Sequence, residues 1–220
     1  MSNKLWEQFC TVESLRRGWH LAREDSRRDF VEDPFARDAF GHFAKDNLEE
    51  LLRVVCQGDF QPTPLTRVSV PKGVLGTRPG TILSLEDRVV LFAALAIIAD
   101  PVDAQLSDRV YSYRVKTGTK KDNLFQEGDA LTLPFLKSKF IQRYIDPFDA
   151  WYGLWPKFDQ ISKEAFSSGN YRFMATSDIA AYFENIQLDI LREQLLQLLP
   201  SEQRIINLFV RAFQSWTYDT

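Results

Sequence analysis

The chain is poor in the residues that build metal sites and covalent scaffolds, with two cysteines and two histidines in 220 residues. Cys10 and Cys56 have neither metal-ligand spacing nor the density of a secreted disulfide-rich domain, and His20 and His42 fall outside any zinc pattern. Reduced thiols and a cytoplasmic location are therefore expected. Long apolar runs are missing too. The longest, Val89 to Ala99, falls well short of the ~20 residues that cross a bilayer, and MSNKLWEQFC lacks the apolar stretch of a secretory signal, so no membrane partner is expected. Nor is there an excess of positive charge. Lys and Arg number 27 against 30 Asp and Glu, a net charge of -3, so any contact with a polynucleotide must come from local patches. What the chain does have is 45% hydrophobic and 13% aromatic residues, enough to bury a core in one large domain or two intimate lobes.

From Lys4 to about Cys56, Leu15, Trp19, Phe40, Phe43, Leu48, Leu51, Leu52 and Val55 recur at three- and four-residue steps, which predicts helix interrupted at Pro34. Pro62 and Pro64 then exclude helix, and the alternating QPTPLTRVSV predicts an extended, hairpin-like excursion. Ser84 is placed as the N-cap of the next helix, with Asp87 at N3 and the apolar Val89 to Ala99 run buried inside it. Trp151, Trp155, Phe158, Ile161 and Phe166 follow helical steps broken by Pro156, which suits core packing. Two closing helices, lined by Leu188, Leu191, Leu195 and Leu198 and by Ile205, Phe209, Phe213 and Trp216, are expected to pack on a sheet.

Three sets of residues carry chemistry. Asp178, flanked by apolar residues in YRFMATSDIAAYFENI, suits a carboxylate held at the end of a buried strand where a divalent cation reaches it. Lys72 and Arg78 flank a Gly-containing turn from which a hairpin aims both cations at one anion. A triphosphate suits the pair, because Lys is a mobile point charge and Arg forks onto two phosphate oxygens. An ordinary surface hairpin also carries exposed charges. Between Ser107 and Arg143, eight basic residues, among them Arg114, Lys116, Lys120 and Lys121, outnumber four acidic ones and are interleaved with Tyr111, Tyr113, Phe125, Phe135 and Phe140. That composition fits a surface that tracks phosphates and stacks bases, and equally a solvated, weakly basic insertion.

Four blocks in order, LEELLRVVCQGDFQPTPLTRVSVPK, RPGTILSLEDRVVLFAAL, LSDRVYSYRV and TSDIAAYFENI, span Leu48 to Leu191 together with the helix that follows. In this order the chain resembles the fingers and palm of bacterial reverse transcriptases related to group II intron enzymes. The resemblance implies that Lys72 and Arg78 hold the triphosphate of an incoming deoxynucleotide and that Asp178 and the backbone carbonyl of Ile179 bind magnesium. It further implies that Phe183 screens the nucleotide sugar and that Arg114 lies near the template path, with Lys116, Lys120 and Lys121 contacting nucleic acid. Two Mg2+ ions, an RNA template, a DNA primer or product and deoxynucleoside triphosphates would be the cofactors and partners. The long, Trp- and Phe-rich interval between the SYRV block and Asp178 looks like that of abortive-infection or defence-associated members, which implies an antiphage role.

The chain departs from this family in one respect. Family members continue to a template loop and an aromatic-x-Asp-Asp hairpin that completes the metal site, whereas no paired Asp-Asp occurs here and the sequence given runs to Thr220. The expectation is an RNA-directed DNA polymerase present as an inactive N-terminal fragment. The alternatives are one subunit of a split polymerase, completed by a second chain, or a noncatalytic nucleic-acid-binding module. The fold expected is α+β: a helical region over 1–60, fingers with a β-hairpin and the aromatic, basic insertion over 61–170, and over 171–220 the incomplete first part of a right-hand palm.

Overall fold

A computed structural model describes residues 3–27, 29, 31–72, 76–112, 114–115, 148, 151–177 and 185–216. Among them are eight α-helices and one two-stranded antiparallel sheet. The N-terminal pattern resolves into four helices, α1 (Lys4–Phe9), α2 (Val12–Ser26), α3 (Pro34–His42) and α4 (Ala44–Gln57). Local chemistry sets their limits. Thr11 caps α2 by accepting from the Ser14 N–H, Asp33 caps α3 by accepting from Ala36, and Pro34 starts α3 rather than merely interrupting a helix. Gly58 ends α4 in the left-handed conformation at φ 88°, where a side chain would be strained.

Strands β1 (Thr66–Lys72) and β2 (Gly76–Ile82) form the expected hairpin. Ser84 then caps α5 (Leu85–Asp103), its Oγ accepting from the N–H of Asp87 at 3.2 Å, as expected of an N-cap and N3 pair. Val89, Val90, Ala93, Ala94, Ala96, Ile98 and Ala99 of α5 are all buried, which fits a helix apolar on every side. Its closest neighbour is α2. Gly18 makes that approach possible, since a Cβ there would run into the Val89 carbonyl oxygen and lie 2.9 Å from Ala93 Cβ. Leu15, Trp19 and Ala22 of α2 are buried in the same core, with the Trp19 ring 4.7 Å from that of Phe40.

The later helices are α6 (Trp151–Ser167), α7 (Leu188–Leu198) and α8 (Gln203–Ser215). One hydrophobic cluster joins Trp6 and Phe9 of α1, the α2, α4 and α5 residues, and Leu195, Leu199, Ile205, Ile206 and Phe209. The closing helices thus pack on other helices rather than on a sheet, because burial is provided by α1 and α5 and the one sheet described is the hairpin. Helix α6 also differs from expectation. It continues through Pro156, and its Trp155, Phe158, Ile161 and Phe166 are exposed rather than in the core. Residues 171–177 form no strand, and Tyr171, Phe173 and Met174 stand in solvent, Phe173 at 90% exposure. A strand needs hydrogen-bonding partners to persist, and the described residues offer this segment none. Phe43, placed in the helical pattern, is likewise exposed.

The two cysteines, expected as separate thiols, are joined in a disulfide with Cα atoms 5.9 Å apart. It ties the end of α1 to the last turn of α4. Their wide sequence spacing hid a proximity that the helix packing creates. No described helix is long and apolar enough to cross a membrane.

Candidate functional site

The hairpin register decides how its two cations relate. Val70 lies opposite Arg78 and Lys72 opposite Gly76, so positions 72 and 78 fall on one face as diagonal cross-strand neighbours. Arg78 is exposed, and no hydrogen bond or ion pair ties it to another described residue. The same face carries half-buried Val68 and Val70 opposite Gly80 and Arg78. A Cβ at Gly80 would sit 2.7 Å from Val70 Cγ2 and 3.2 Å from Val68 Cγ2, so the valine methyls occupy the space that glycine leaves. The opposite face carries Arg67, Ser69 and Pro71 across from Thr81, Pro79 and Thr77.

The hairpin's root is different in kind. Asp87 is 1% exposed. Its Oδ2 accepts from the Thr63 N–H at 2.8 Å, just before β1, and from Trp216 Nε1 at 3.2 Å, at the end of α8. Burial pushes the Asp87 carboxyl above the ordinary aspartate range, against the pull of these hydrogen bonds. Its neighbour Arg88 is also buried, and forms ion pairs with Asp25 at 2.9 Å and Asp29 at 2.6 Å that fasten the start of α5 to the end of α2. A second buried acid, Glu202, precedes α8 and accepts from the Leu5 N–H at 2.9 Å. Sequence reasoning placed Asp87 only as a helix-start acid and missed Arg88, Trp216 and Glu202 as partners of a buried polar framework. The available signal was an Asp-Arg pair opening a helix apolar all round, where charged side chains must find internal partners.

Arg114 has its guanidinium turned inward, toward Asp103 at 2.9 Å and the Ser107 carbonyl at 2.7 Å. Those bonds close the loop after α5, and the Val115 N–H adds a further bond to Asp103. Asp178, Ile179, Phe183, Lys116, Lys120 and Lys121 lie outside the described residues, as does the side chain of Lys72. Among the described residues no three His, Cys, Asp or Glu side chains gather as a metal-ligand set, and the expected ligand Asp178 is not one of those residues.

No protein-family model matches the chain, and no curated protein matches it.

Proposed function

We propose that the chain is the fingers and the beginning of the palm of an RNA-directed DNA polymerase of the bacterial reverse transcriptase kind, acting in antiphage defence. One observation carries the proposal beyond the motif order. The hairpin expected to grip a triphosphate has the register that such a grip requires, with positions 72 and 78 on one face and Arg78 exposed and unengaged among the described residues. A cation with no described partner, as Arg78 is, is available for phosphate oxygens, where an arginine fork neutralises the charge that develops as pyrophosphate leaves. In this reading Lys72 and Arg78 orient the deoxynucleoside triphosphate, Phe183 limits space at the sugar 2′ position, and Asp178 and the Ile179 carbonyl contribute to magnesium binding. Lys116, Lys120 and Lys121 contact the RNA template or its primer, while Arg114 shapes the neighbouring loop.

A second version is supported by the exposed stretch of residues 171–177. A segment in neither helix nor strand, with Tyr171, Phe173 and Met174 in solvent, suits strands supplied by a second polypeptide, as in a split polymerase. Both versions predict that the native assembly containing this chain incorporates deoxynucleotides on an RNA template in a magnesium-dependent reaction. Asp178→Asn should abolish it. Undiminished incorporation by that variant, or none by the wild-type assembly, rejects the polymerase reading.

A further inference from the structure

The hairpin is anchored at both ends, and one residue, Asp87, takes part in both anchors, through its carboxylate on one side and its backbone N–H on the other. On the incoming side, the Thr63 N–H donates to Asp87 Oδ2 and the Pro62 carbonyl accepts from Ser215 Oγ at 3.3 Å. On the outgoing side, Ser84 Oγ accepts from the N–H of Asp87 itself. Trp216 Nε1 brings the end of α8 to the same carboxylate oxygen, although residue 216 is far from the hairpin in sequence. Each contact joins a different element: the lead into β1, the start of α5 and the close of α8. Arg88 fixes the start of α5 on α2, so the carboxylate that gathers the other elements stands on an immobile base.

We infer that Asp87 is a positioning residue that ties the root of the β1–β2 hairpin to the end of α8, so that the orientation of the hairpin follows that of the C-terminal helix. The physical basis is that among the described residues no other sheet flanks this two-stranded hairpin, and its own ladder is marginal in water. Its direction is then set where it leaves the core. A buried carboxylate with two N–H donors is a strong local fastening, because each donor would otherwise lose its partner away from water. Trp216 supplies more than a donor, since its ring packs edge-on against Phe213 at 5.7 Å and carries any displacement of α8 to the carboxylate. That this orients a triphosphate-binding face rests on the proposed function; the mechanical tie does not.

Amide hydrogen exchange on the full chain tests the tie. Trp216→Phe keeps an aromatic ring and removes the Nε1 donor, and it should speed exchange across 63–72 and 76–82 about fivefold, as expected for one lost hydrogen bond, with α2 and α4 unchanged. Asp87→Ala should act in the same region more strongly, while Asp87→Asn, which keeps an acceptor oxygen, should largely restore wild-type exchange. If Asp87→Ala does not fold, Trp216→Phe alone decides. Unchanged hairpin exchange in Trp216→Phe, or faster exchange spread evenly over α2, α4 and the hairpin, overturns the inference. Nucleoside triphosphate binding, measured on the same samples, reports separately on the proposed function: exchange coupling with no binding would reject that reading and leave the tie standing.

Discussion

The tip and the root of the hairpin carry charges in opposite circumstances. At the root, Asp87 and Arg88 are buried and fully engaged, holding three helices and the lead into β1 together. At the tip, Arg78 is exposed and has no described partner. A charge that has left water is retained when its partners are internal, whereas a charge left in water without partners contributes little to stability and is free for a ligand. The same sequence block, RPGTILSLEDR, thus holds both kinds within a few residues.

The largest expected effect should leave that contrast untouched. The Cys10–Cys56 bridge spans a sequence separation of 46, and a closed loop of that size is worth about 4 kcal/mol through restriction of the unfolded chain. Adding a reductant, or substituting Cys10→Ser, should lower stability toward denaturant by up to that amount without altering hairpin exchange. A hairpin that loosens selectively on reduction would break the separation between core and hairpin.

Removing the root cation should cost nearly as much. Arg88→Ala leaves Asp25 and Asp29 facing a buried gap, at a cost of about 3 kcal/mol, the lower end for a broken buried pair because Asp25 is half exposed. Denaturant unfolding measures it, and a loss below ~1 kcal/mol would show that the root is not the rigid base described above.

Acid sharpens the comparison through His20 on α2. Burial, then the nearby Arg23 and Arg16, lower its pKa from 6.5 to about 4. The folded chain therefore holds His20 neutral where the unfolded chain is already protonated. Its contribution is present above pH 6.5 and is lost as pH falls toward 4, by as much as about 3 kcal/mol. His20→Gln should flatten the stability profile in that window; an unaltered slope would mean that the imidazole is better solvated than its surroundings imply.

The helical framework was legible because apolar spacing, Pro34 and Ser84 act locally, and the hairpin was legible because Pro62 and Pro64 forbid helix ahead of an alternating run. What lay beyond reading was decided by distant partners. Cys10 meets Cys56 only after α1 and α4 have packed, and Trp216 meets Asp87 only when α8 closes over α5. The aromatic steps of α6 looked like core because periodicity identifies a face without saying what covers it, and Trp155 and Phe166 remain in solvent. Of the candidate site, the pairing of positions 72 and 78 on one face followed from strand alternation and the register, while the inward turn of Arg114 toward Asp103 depended on a loop that no motif specifies.

The smallest expected change in stability accompanies the most direct test of the central claim. Arg78→Ala, at an exposed position, should alter folding stability by no more than about 0.5 kcal/mol, yet it removes a charge-assisted phosphate contact worth about tenfold or more in affinity. Titration of the chain with a deoxynucleoside triphosphate, followed at the β1–β2 amides, should show binding to the wild type and at least tenfold weaker binding to Arg78→Ala. Equal affinity in the two proteins, or no response of the hairpin amides to the triphosphate, would contradict the account.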